Sequence, residues 1–117
     1  MKTIIAGSRD NVTYEHIKDA VKNCGWIITE VVEGGARGAD RLGRKWAIDN
    51  TIPYITMNAD WDKHGKSAGY RRNTEMAEVA EALIAIRANM SKGTTHMINI
   101  AKNKGLRIYV IEIEVKL

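Results

Sequence analysis

The stretch Glu33-Gly34-Gly35-Ala36-Arg37-Gly38-Ala39-Asp40 sets three glycines and an arginine between two carboxylates. An apolar run, Ile27 to Val32, precedes it, and a helix-like run, Asp40 to Asn50, follows. A glycine-rich turn from strand to helix lets backbone approach a ligand closely. The N-terminus of the helix adds free N–H groups and a partial positive charge, which suit phosphate. The spacing Gly34-Gly35-x-x-Gly38 is not the dinucleotide fingerprint, which requires G-x-G-x-x-G. Nor is Gly65-Lys66-Ser67 a Walker loop, because the position five residues before Gly65 is Asp60. The expected guest is a phosphate-bearing small molecule of unspecified identity.

Three further stretches carry matching chemistry. Gly7-Ser8-Arg9 ends the first apolar run and offers a hydroxyl and a planar guanidinium fork. Ser91-Lys92-Gly93-Thr94-Thr95 opens a later helix, with Thr94 or Thr95 as N-cap and free amides for an anion. Tyr70-Arg71-Arg72-Asn73 begins another helix. Two arginines near a helix start oppose its dipole, which points to an anionic partner or to ion pairs with Asp60 or Asp62. Trp61 either stacks on a base or anchors its loop. Asp60-x-Asp62-x-His64 reads as a solvated loop, so no metal and no resident cofactor is expected. His16 and His96 read as surface helix residues.

These residues need a scaffold that gathers them. Strands are expected at Thr3–Ala6, Ile27–Val32, Tyr54–Met57, Ala82–Ile86 and Arg107–Val115. Helices are expected at Thr13–Asn23, Asp40–Asn50, Ala68–Ala80 and from Gly93-Thr94-Thr95 to about Lys104. Thr13 is the expected N-cap of the first helix, and Gly25 and Gly105 are expected to end the first and last. The last strand alternates Ile111, Ile113 and Val115 against Glu112, Glu114 and Lys116, the pattern of an edge with one wet face. Strands alternating with helices predict one Rossmann-like α/β domain over residues 1–117. Its five-stranded parallel sheet takes the order 3-2-1-4-5, with helices on both faces. Ligands in such sheets sit beyond the carboxyl ends of the strands, near the point where the order reverses. The four loops expected there, Gly7-Ser8-Arg9, Gly34 to Asp40, Asn58 to Tyr70 and Arg87 to Thr95, are the unusual stretches of the chain, and the third contains the long polar segment Asn58–Ser67.

Composition narrows the class. The chain has 117 residues, 44% of them hydrophobic, and a net charge of +4. That excess of positive charge suits an anionic partner. A lone cysteine, Cys24, excludes an intramolecular disulfide and a multi-cysteine zinc site, and reads as a small buried residue at a helix end. No apolar run approaches the roughly 20 residues of a membrane span, so a soluble, cytoplasmic protein is expected.

Taken together, these motifs resemble the YspA-like, cpYpsA-related branch of the SLOG superfamily. Its relatives include the LOG phosphoribohydrolases and the DprA proteins. The resemblance rests on Gly7-Ser8-Arg9, Gly34 to Asp40, Ala59-Asp60-Trp61, Gly65-Lys66-x-Ala68-Gly69, Arg72-Asn73-x-x-Met76 and Gly93-Thr94. It implies binding of a nucleotide or an NAD- or ADP-ribose-like ligand, held by Gly7, Ser8, Arg9, Gly34, Gly35, Ala36, Arg37, Gly38, Asp40, Trp61, Arg72, Asn73, Gly93, Thr94 and Thr95. Asp40 or Glu33 would meet ribose hydroxyls. A homo-oligomer is implied by the same likeness. LOG-type enzymes also carry an arginine matched by Arg72 and a glutamate three residues after the Gly-Thr threonine. The second position here is Met97, whose thioether cannot act as a base. N-glycosidic hydrolysis would therefore require Glu75 or Glu33 as a substitute carboxylate. Single-stranded nucleic acid binding, with Trp61 and Tyr70 as stacking platforms, is the third and less favoured expectation.

Overall fold

A computed structural model describes residues 1–115. The elements run β1 (Lys2–Gly7), α1 (Tyr14–Asn23), β2 (Glu30–Glu33), α2 (Ala39–Asp49), β3 (Tyr54–Thr56), α3 (Trp61–His64), α4 (Ala68–Val79), β4 (Ala82–Ala88), α5 (Lys92–Asn103) and β5 (Arg107–Ile113). The strands form one parallel sheet ordered β3-β2-β1-β4-β5, as expected.

Period-two alternation in the central strands divides the core between two faces. Ile4 and Ala6 of β1 and Leu83 and Ala85 of β4 face Met76, Ala77, Met97, Ile98 and Ala101 of α4 and α5. Ile5, Ile84 and Ile86 face Ile17 and Ala20 of α1 and Ala39 and Ala47 of α2. The two central strands are thus apolar on both faces, the pattern a covered parallel sheet demands. The reversal of strand order lies between β1 and β4. The β1–α1 and β4–α5 loops therefore part there and leave a crevice.

Several boundaries differ from the sequence expectation. β2 begins at Glu30 rather than Ile27, because its pairing with β1 starts at Lys2↔Glu30, and Ile27 is left 82% exposed. The segment Asn58–Ser67 is not a plain loop: it contains α3 and a 3-10 turn, Gly65–Ser67, that leads directly into α4. The N-cap of α5 is Ser91, not Thr94 or Thr95. β5 is an edge strand with Glu112 exposed, while Ile111 and Ile113 pack on the α1 and α2 side. Lys116, part of the expected alternation, lies outside the described residues. Among the described residues no helix is long and apolar enough to cross a membrane.

Candidate functional site

A cleft of about 540 Å³ opens at the carboxyl ends of β1 and β4. Gly7, Ser8 and Arg9 form one wall, Gly93 and Thr94 a second, and Trp61, Arg72 and Asn73 a third. Ala36 and Asp40 bring the glycine loop to the same space.

Helix capping sets the electrostatics. On α1, whose preceding turn lines the cleft through Arg9, Asp10 and Asn11, Thr13 and His16 form a reciprocal capping box. The two helices that begin at the cleft from β2 and β4 lack such a cap. α2 starts from Gly38, and α5 starts from Ser91, and neither makes a side-chain cap bond. At α5 the first-turn amides remain open to a guest at the positive end of the helix dipole, whereas at α2 the Ala39 amide is already donated to the Ser8 carbonyl at 3.2 Å and Ala39 is fully buried. The Ser91 hydroxyl is drawn elsewhere, to Ser8 Oγ at 2.8 Å and Thr94 Oγ1 at 2.9 Å. Ser8 Oγ also accepts the buried Ala88 amide at 2.9 Å. Ser8 thus ties the β1 turn to the β4–α5 turn and fixes the gap between them.

The glycine loop is shaped from both sides. Gly38 has φ +83°, and a Cβ there would lie 2.4 Å from the Ser8 carbonyl oxygen and 2.5 Å from that of Arg9. Only glycine lets α2 start this close to the β1 turn. At Gly34 the missing side chain makes room for Arg72: a Cβ would fall 2.2 Å from its Nη1 and 2.7 Å from Asp40 Oδ2. Arg72 Nη1 instead donates to the Gly34 carbonyl at 2.6 Å, and its Nε donates to Asn73 Oδ1 at 3.3 Å. Neither Arg71 nor Arg72 pairs with Asp60 or Asp62. Asp60 caps α3 by accepting from the Lys63 amide, and Arg71 Nε donates to Ser67 Oγ.

Asp40 is 5% exposed and accepts the Ala36 amide at 3.2 Å. Burial pushes its carboxyl up from 3.8 to about 6, against the pull of Arg72 and the loop amides and with a push from Glu33. Glu33 itself does not reach the cleft. It is fully buried and accepts from the Gly35 amide at 2.7 Å, from Arg44 Nε at 3.3 Å and from the Thr56 hydroxyl. Its role is to brace the loop from behind, which removes it as a ribose contact or catalytic carboxylate. Glu75 is exposed on α4 and lines no part of the cleft.

A scan against family models matches residues 1–64 to the YspA, cpYpsA-related SLOG family. The "Gene 61 protein" of Mycobacterium phage D29 is 34% identical over 118 residues, spanning 92% of this chain and 93% of that protein. The chain belongs to this SLOG family. No solved structure matches it.

The family match takes in the β1 turn, the glycine loop and Trp61, and ends before Arg72 and Gly93. In this SLOG chain the fold brings Gly7, Ser8, Arg9, Ala36, Asp40, Trp61, Arg72, Asn73, Gly93 and Thr94 around one cleft. Gly34, Gly35 and Arg37 line an adjoining groove. Gly38 and Thr95 line neither. Gly38 is spent on backbone packing, and Thr95 Oγ1 turns away to accept from Arg87 and donate to the Ser91 carbonyl.

Asn11 and Asn89 also border the cleft and escaped the motif reading, while Ser91, Tyr70, Lys66 and Met97, named in it without a ligand-binding assignment from the family likeness, border it too. Asn89 sits at φ +49°, and Asn is among the residues that tolerate that region. Its place after an apolar strand was the one available signal. His96 stacks on Tyr70 with ring centroids 4.3 Å apart, and its Nδ1 accepts from Asn73 Nδ2 at 3.2 Å. Burial holds its pKa below the ordinary value, which keeps the ring neutral and able to accept. It is a support for the cleft wall, not a surface residue.

Proposed function

We propose that the cleft captures a nucleotide or nucleotide-derived ligand of the NAD or ADP-ribose kind, as a sensor or sequestering module. The observation that carries this reading is the uncapped start of α5 facing the cleft, with Arg9 and Arg72 at its edge. Open amides and guanidinium groups together favour phosphate. The SLOG family relation points to the same ligand class. Arg9 is exposed and makes no hydrogen bond or ion pair among the described residues, so its charge is available to a guest. Trp61 and Tyr70 border the same cleft, which supports a base stacking there rather than along a strand-binding track. A homo-oligomer, inferred from the family likeness, and a cytoplasmic location, inferred from composition, complete the reading.

Calorimetric titration with AMP and ADP-ribose tests it. The expected result is binding that weakens about tenfold in Arg9→Ala, the order expected for losing a charge-assisted hydrogen bond. Unchanged affinity in both Arg9→Ala and Arg72→Ala would refute the pocket.

Asp40 favours a second reading, phosphoribohydrolase activity. It is a carboxylate in the cleft near pKa 6, suited to general acid–base work. In that reaction the bond from the anomeric carbon to the base nitrogen breaks. Water adds its oxygen to that carbon, and its proton ends on the departing base. Release of free base from nucleoside monophosphates, lost in Asp40→Asn, would establish it. No release from any nucleotide leaves the binding reading alone.

A further inference from the structure

The main cleft does not end at the glycine loop. A groove of about 380 Å³ adjoins it, and Arg9, Ala36, Trp61 and Arg72 border both. Arg37 and Arg41 add two more guanidinium groups to the groove, which Asn58 and Ala59 also line, and among the described residues no carboxylate lines it. Arg37 is paired with Asp10, at 3.2 Å, outside the groove. Arg41 is exposed and donates only to the Gly35 carbonyl, at 3.3 Å. Arg41 also lies in the first turn of α2, where a cation opposes the helix dipole. Glu33, the acid beneath this loop, is consumed by Arg44, Thr56 and the Gly35 amide. Positive charge is thus concentrated here, and among the described residues neither Arg9 nor Arg41 is paired with a carboxylate.

We infer that the groove is a second anion subsite, and that the ligand carries two phosphoryl groups, one in the main cleft and one beside Arg41. This rests on the nucleotide-binding reading and narrows it to nucleotides extended beyond their first phosphate, such as a diphosphate bearing a second sugar. A nucleoside monophosphate fills only the first subsite.

Dissociation constants for AMP and ADP-ribose, measured by calorimetry at one fixed salt concentration, decide the matter. The wild type binds ADP-ribose at least tenfold more tightly than AMP. Arg41→Ala lowers ADP-ribose affinity about tenfold and leaves AMP affinity unchanged. AMP binding with no gain for ADP-ribose overturns the second subsite and leaves the first standing. Equal loss of both ligands in Arg41→Ala also overturns it, since a general field effect would then suffice. Failure of both ligands to bind the wild type overturns the nucleotide reading and the subsite together. Arg41 contacts only a backbone carbonyl, so the variant is expected to fold, and an unchanged melting temperature checks that.

Discussion

Asp40→Asn separates the electrostatic cost of the cleft from its packing. Asp40 in the folded chain titrates near 6, against an ordinary value of 3.8. A folded-state pKa raised above the unfolded one means that the native state holds its proton more tightly. Its contribution to stability is fully present below pH 3.8 and is lost as pH rises through 6. At about 1.36 kcal/mol per decade, ionised Asp40 costs the fold about 3 kcal/mol at neutral pH. Asparagine keeps an oxygen to accept the Ala36 amide and has no charge to bury. The variant is therefore expected to match the wild type near pH 4 and to exceed it by about 3 kcal/mol at pH 8. For a domain of this size that is a rise of about 10 °C in Tm at pH 8. Urea unfolding at a series of pH values from 4 to 8 gives the difference directly, because every other titrating group is common to both proteins. Stability curves that run parallel across that range would refute the assignment of a buried, strained carboxylate. Excess stability in a variant that has lost function is also a mark of a functional site.

Ser8→Ala should cost about 1–3 kcal/mol, because it strands the buried Ala88 amide and cuts the link to Ser91; chemical denaturation reads it. Gly34→Ala should displace the Arg72 guanidinium, a flexible group, so nucleotide affinity falls several-fold while Tm changes little. Wild-type affinity in that variant would show that Arg72 need not sit over the loop. Gly38→Ala should instead unfold more readily, by at least about 2 kcal/mol, since its Cβ meets two carbonyl oxygens at positive φ.

The scaffold was readable because local rules and global topology agree. Apolar runs at Ile4-Ile5-Ala6 and Leu83-Ile84-Ala85-Ile86 require two covered faces. Thr13 caps α1, and Gly25 and Gly105 both adopt the positive φ of helix ends, at +92° and +74°. Cys24 is buried at the end of α1, as its type suggests. The site was readable to the extent that strand ends define it. The roles within it were not. Glu33 looks like a ligand contact in sequence, yet Thr56, its register partner on β3, and Arg44 on α2 claim its oxygens. Arg72 reaches back 38 positions to Gly34, a contact no local pattern encodes. Ser91 was hidden because two threonines nearby are equally good caps. His96 was hidden because its partners, Tyr70 and Asn73, lie on another helix. Spacing shows which turns gather at one rim; it cannot show which polar groups neutralise one another there and which stay free.

Native mass spectrometry of the protein purified from cells, and then mixed with AMP or ADP-ribose, addresses the central claim most directly. A mass increment matching a phosphorylated nucleotide, retained by the wild type and lost in Arg9→Ala, is the predicted result. A bare polypeptide mass under all of these conditions would contradict a cleft built to hold such a ligand.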